Sequence, residues 1–157
     1  MTKVITTYLQ DHHAGSAAGL DAFTRVAQGH ADEAVRQAVS HIADEAQKDQ
    51  TTLEQILHSF DAKPAVLKDL SGKVAEKVAR LKPNQRLVSR SPLSDVEELE
   101  GLVDAVHAKS MAWRVLLQLD DERLDKAQLQ TLLERAEGQV SELKRLLLSQ
   151  APKLLQD

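Results

Sequence analysis

Four long stretches of this chain repeat apolar residues at intervals of three and four, and almost nothing interrupts them. In the first, Ile5, Leu9, His12, Ser16, Gly19/Leu20, Phe23 and Val26/Ala27 share one helical face, and Gln28-Gly29-His30 ends the run. Gly29 is expected to close that helix in the left-handed C′ conformation. The second run begins near Asp32, an N-cap type, and continues to about Phe60, with Val35, Val39, Ile42, Ala46, Asp49, Leu53 and Ile56 turned inward. A fourth run carries Val96, Leu99, Val103, Val106, Ser110, Trp113 and Leu117. A fifth carries Leu129, Leu132/Leu133, Ala136, Val140, Leu143 and Leu147. Ser94-Asp95-Val96-Glu97 and Asp125-Lys126-Ala127-Gln128 have the spacing of capping boxes and are expected to open these two helices. With 6 Gly and 4 Pro in 157 residues, the repeated turns of a β-sandwich or barrel are excluded.

The third run is shorter. It follows Lys63-Pro64, which is expected in the first helical turn, and Leu67, Leu70, Val74, Val78 and Leu81 mark its buried face. Pro83 ends it, and Asn84 to Pro92 is expected to be extended. The turn between the first two helices is short, so they pack antiparallel. A helix of about 24 residues is ~36 Å long, a distance that the connector over about 61–93 can span. The second and third long helices are therefore expected to run parallel, in an all-α, one-crossover arrangement forming a single domain over 1–157, with an up-down bundle carrying a folded-back short helix as the alternative.

No apolar run approaches the ~18 residues of a membrane span, and the first residues lack the apolar core of a secretory signal. The chain has no Cys, so disulfides, thiolate metal sites and Cys nucleophiles are excluded. A cytoplasmic location is the expectation.

The net charge of -4 conceals a segregation. Residues 1–62 carry 4 basic and 9 acidic residues, residues 91–157 carry 8 and 13, and the stretch 63–90 between them carries 8 and 2. The basic middle could bind an anion. Nucleic acid is not expected there, because the whole chain has four aromatic residues, too few for base-stacking platforms. Arg86 and Arg90 are instead expected to pair with Asp11, Asp49, Glu98 or Glu100 as the connector passes over two acidic helix pairs.

Polar residues inside apolar stripes are the candidates for chemistry. His12 and Asp49 lie in core register, and counting outward from the turn places His12 opposite Glu45 or Asp49. Asp104 and His107 lie three apart on one face of the third long helix, a spacing that can present two ligands to a metal. A reduced metal site from His12, Asp49 and His107, taking Fe, Mn or Zn, is one reading; a hydrogen-bonded buried network that fixes register is the other. A complete di-iron centre is not expected. The last helix turns only Leu, Ala and Val inward, and paired Glu-x-x-His motifs are missing. The small residues Ala14 to Gly19 either admit a close neighbour or line a pocket. No nucleophile elbow, P-loop or dinucleotide fingerprint occurs.

Several segments carry a likeness. Tyr8-Leu9-Gln10-Asp11-His12-His13-Ala14-Gly15-Ser16, Arg80 to Leu87, Arg90-Ser91-Pro92-Leu93-Ser94, Glu98-Leu99-Glu100 and Trp113-Arg114 resemble a family of uncharacterised small bacterial proteins placed in the ferritin-like superfamily. The resemblance spans about residues 4–118. It implies a ferritin-like four-helix bundle with an inward polar cluster, and it implies no activity.

The sequence thus leads to a non-catalytic structural or interaction protein of ferritin-like form, without a cofactor. A buried network of His12, Asp49, Arg86, Arg90 and Glu98 stands where a di-iron centre would be. A metal-binding or metal-dependent redox protein is the first alternative, and an anion-binding module the second. A homodimer is the expected assembly.

Overall fold

A computed structural model describes residues 3–66, 72–81 and 90–156. The described residues are helical, with turns and short irregular links and no strand. The helices are α1 (Lys3–Gly29), α2 (Glu33–Ser59), α3 (Gly72–Leu81), α4 (Pro92–Leu117) and α5 (Lys126–Gln150), followed by a 3-10 helix over Ala151–Leu155. None of them is long and apolar enough to cross a membrane.

The expected stripes are the buried faces. Leu9, Phe23 and Val26 of α1 meet Val35, Val39 and Leu57 of α2, and Leu99, Leu116, Leu129 and Leu143 complete the same core from α4 and α5. Fully burying a side chain of this size stabilises the fold by about 1.5–3 kcal/mol. Trp113 is buried as its stripe requires, and Leu102 and Leu146 are buried as well, which widens the α4 and α5 faces beyond the narrow stripe the periodicity marks.

Helix directions follow from contacts at the two ends. At one end, the Ala31 amide faces Asp95 Oδ2 at 3.4 Å and Gln150 Nε2 donates to Asp32 Oδ2 at 3.1 Å. The α1–α2 turn, the start of α4 and the end of α5 therefore lie together. At the other end, the Arg123 guanidinium stacks 3.9 Å from the Phe60 ring centroid, and Gln10 Nε2 donates to the Lys63 carbonyl at 2.8 Å. The start of α1, the end of α2 and the α4–α5 loop meet there. Thus α2 ends and α4 begins at opposite ends of the molecule, and the two helices point the same way. Helix α3 packs mainly on α1 and also touches α4, with Val78 buried and Leu81 Cδ2 within reach of Gly101.

Local chemistry departs from the periodicity in three places. Gly29 does not take a positive φ; it is the last residue of α1, and the His30 amide still donates to the Val26 carbonyl at 3.0 Å. Helix α3 begins at Gly72, and residues 62–66 around Pro64 are not helical. The expectations for Leu67, Leu70 and the stretch 84–89 lie outside the described residues.

Helix α4 starts three residues earlier than the Ser94–Glu97 spacing indicates. Ser91 is its N-cap and Pro92 opens its first turn. Ser94, not Glu97, completes the box by accepting from the Ser91 amide at 2.8 Å. The N-cap of α5 is as expected, with the Asp125 carboxylate accepting from the Gln128 amide at 3.1 Å.

Candidate functional site

Two buried polar clusters interrupt the apolar core. The first sits midway along α2, α4 and α5. Asp49 is fully buried, and both of its oxygens are taken by cations. Lys109 Nζ donates to Oδ2 at 2.8 Å, and Arg135 Nη1 donates to Oδ1 at 2.6 Å. Lys109 also donates to Gln139 Oε1 at 2.7 Å, and Gln139 Nε2 reaches Glu45 Oε1 at 3.5 Å. The cluster carries two positive and two negative side chains, so its charge is balanced. Burial pushes the Lys109 ammonium below its ordinary pKa, against the opposing pull of the Asp49 carboxylate.

The second cluster ties the α1–α2 turn to the start of α4. Arg90 Nη1 donates to Asp95 Oδ1 at 2.6 Å and to Glu98 Oε2 at 2.8 Å. Asp95 is buried, and its other oxygen faces the Ala31 amide and, at 3.9 Å, His30 Nε2. His30 has no exposed surface. Its Nδ1 accepts from the Asp32 amide at 3.0 Å, which leaves the neutral ring's proton on Nε2. That Nε2 and Gln150 Oε1 are buried without a hydrogen-bond partner. Burial opposes the charge on Arg90, but its hydrogen bonds to Asp95 and Glu98 prevail and raise its pKa. For His30, burial dominates: together with Arg90 and Lys153 it outweighs Asp95 and Asp32 and lowers the imidazole pKa.

The residues singled out in sequence are divided by the fold. Arg90 and Glu98 are brought together, with Asp95 between them. Asp49 is buried in the other cluster, where its partners are Lys109 and Arg135 rather than His12. His12 is half-buried on α1, its ring edge-on to Tyr8 with centroids 4.7 Å apart. Burial and the nearby Lys77 lower its pKa, and Asp11 opposes them. It is the neighbouring His13 that reaches α2, with Nε2 2.8 Å from Glu54 Oε1. Asp104 and His107 are exposed on the outer face of α4. Arg86 lies outside the described residues.

Periodicity misplaces the polar residues of α5: Gln139 and Gln150 are buried alongside its leucines and alanine. Lys109 adjoins the inward Ser110 and lies three residues beyond Val106, so its stem shares the inner edge of α4. Asp95 stands four and seven residues before Leu99 and Leu102, in the register of the apolar face. That register was the available signal for Asp95. His30 carries none, since it belongs to no stripe.

The sequence-marked donors His12, Asp49 and His107 are not brought together as a metal centre. Among the described residues no group of three or more His, Asp or Glu side chains could hold a metal ion. A divalent cation at Asp49 would meet an ammonium and a guanidinium already bound to both oxygens.

The stretch Ala14 to Gly19 both packs and lines a groove. Gly19 lies 3.8 Å from Ala105 Cβ when a Cβ is built on it, whereas Ala14, Ala17 and Ala18 face Pro64, Val78 and Leu81 across an open groove of about 330 Å³. Comparison of the chain with protein-family models, curated proteins and solved structures finds no match.

Proposed function

We propose that this chain is a ferritin-like four-helix bundle, with the link from α2 to α4 as its crossover, and that it serves as a non-catalytic structural or interaction protein. The family likeness of its α1 and α4 segments and the parallel course of α2 and α4 support this fold reading. One observation carries the functional reading: the Asp49 carboxylate, buried in the core between α2, α4 and α5, is neutralised by Lys109 and Arg135. Protein cations take the place of metal cations. What this arrangement supplies is one fixed register between three helices, since a buried ion network has far fewer satisfactory alignments than an apolar seam.

The experiment is a titration of untagged, chelator-free protein with Fe(II), Mn(II) and Zn(II), followed by melting temperature and elemental analysis. No shift at any excess is expected. Stoichiometric binding that disappears in His12→Ala or Asp49→Asn would overturn the reading and restore the metal-binding alternative.

A further inference from the structure

We propose that His30 is a proton-operated latch: neutral, it locks the α1–α2 turn against the start of α4, and protonated, it opens that end of the molecule. The geometry gives the imidazole two jobs that only one protonation state can perform. Its Nδ1 must be a bare lone pair to accept the Asp32 amide at 3.0 Å, the bond that shapes the turn just ahead of α2. Asp32 is itself the α2 N-cap, with Oδ1 accepting from the Ala34 amide at 2.9 Å. A proton on Nδ1 sets two N–H donors against each other and removes that acceptor.

The same proton changes the other side of the ring. In the neutral form Nε2–H points toward Asp95 Oδ2 from 3.9 Å, too far to bond, and has no other partner. An imidazolium is drawn toward the carboxylate, and a movement of about 1 Å brings it into charge-assisted contact. Asp95 is already the acceptor for Arg90, which ties the segment before α4 to α4 through Asp95 and Glu98 and to α1 through the Arg25 carbonyl. A cationic His30 therefore competes with Arg90 for one carboxylate and repels it at short range. Loss of the Asp32 bond and weakening of the Arg90 clamp both loosen the same end.

Every charged group around the ring enters this balance. Asp95 faces it from α4, Arg90 from the segment before α4, Asp32 from the turn and Lys153 from the C-terminal 3-10 helix; Glu98 is tied to the site through Arg90, and Arg36 of α2 donates to the His30 carbonyl. Burial, Arg90 and Lys153 resist protonation; Asp95 and Asp32 favour it. The folded latch thus holds to a pH below the ordinary value of about 6.5 and opens on acidification.

The test is an NMR titration of the full chain from pH 7.5 to 4.5, following the His30 ring signals together with backbone amide exchange corrected for its intrinsic pH dependence. Exchange at Asp32 and Ala34 is expected to rise at least tenfold with the same midpoint as the His30 ring, while amides around Leu132 and Leu133 of α5 stay unchanged. In His30→Asn, whose side-chain oxygen can accept the Asp32 amide without titrating, the rise is expected to vanish. Three results would overturn the proposal: unchanged exchange at Asp32 through the His30 midpoint, a rise spread uniformly over α5, or the same rise in the Asn variant. If His30→Asn does not fold, coincidence or separation of the two midpoints in the unaltered chain decides the matter alone.

Discussion

The Arg90 guanidinium fills the space a side chain on Gly29 would occupy: a Cβ there would stand 2.6 Å from Nη2. Gly29 ends α1 without a positive φ, so backbone freedom does not explain the glycine; close approach does. The guanidinium is the end of a flexible side chain, yet Asp95 and Glu98 hold it in place. Gly29→Ala is expected to destabilise the protein by about 1–2 kcal/mol, because hydrogen bonds to a buried carboxylate are lost. The sign is opposite at Gly15 and Gly138, where a Cβ meets nothing within 4 Å. Alanine at either of these helical sites is expected to stabilise by up to about 1 kcal/mol. In an Arg90→Ala background the cost at Gly29 should disappear, and urea unfolding of the four variants measures that coupling.

Helix α4 supplies a second test. Ser94 is buried and its hydroxyl accepts from the Ser91 amide, whereas Glu97 is exposed and makes no capping bond. Ser94→Ala is expected to cost about 1 kcal/mol. Glu97→Ala is expected to cost well under that, as an ordinary surface change. Equal losses in thermal unfolding would return the cap to Ser94 and Glu97.

That difference also shows how much of the molecule was legible in sequence. The stripes through Leu9, Val39, Leu99 and Leu143 marked the buried faces correctly, because burial imposes a period that any sequence filling the same core must keep. Caps were legible as chemistry but ambiguous by position: Ser91 and Ser94 both suit an N-cap, and only Pro92 between them favours the earlier one. The clusters were the least legible. Asp49 was marked by its register, but its partners Lys109 and Arg135 have long side chains that reach inward from flanking positions, and the period of a helix is blind to reach. His12 was expected across from Asp49, and a rotation of one residue put His13 against α2 instead.

The pH dependence of stability follows from the two lowered histidines. Burial and Lys77 hold His12 below its ordinary pKa, and burial, Arg90 and Lys153 do the same for His30. The unfolded chain, with histidines near 6.5, therefore binds more protons than the native state over the window below that value. The stability these groups lend is complete above about pH 6.5 and is lost progressively as the pH falls toward their folded values. The melting temperature is expected to be lower at pH 5.5 than at 7.5, and His12→Gln to retain more of it than the unaltered chain. A melting temperature that is flat across this range would contradict both lowered values.

The sharpest prediction concerns the mid-bundle network, because removing part of it and removing all of it should have opposite consequences. Asp49→Ala leaves the Lys109 ammonium buried with only Gln139 and a distant Glu45 for company, and is expected to cost about 3–5 kcal/mol. Replacing the innermost members together, as Asp49→Leu/Lys109→Met/Gln139→Leu, leaves no buried charge without a partner. Arg135 is one-third exposed and can turn to solvent, and Glu45 is only half-buried. The triple variant is expected to unfold within about 2 kcal/mol of the original, since well-packed apolar groups commonly equal or exceed a buried ion network in stability. What it should lose is uniqueness: an apolar seam among α2, α4 and α5 tolerates sliding that the Asp49–Lys109–Arg135 geometry forbids. Methyl NMR spectra with broadened or doubled signals, at an undiminished melting temperature, are the expected signature of a network that specifies alignment. A triple variant as unstable as Asp49→Ala, with sharp single resonances, would show instead that the network is a direct source of stability.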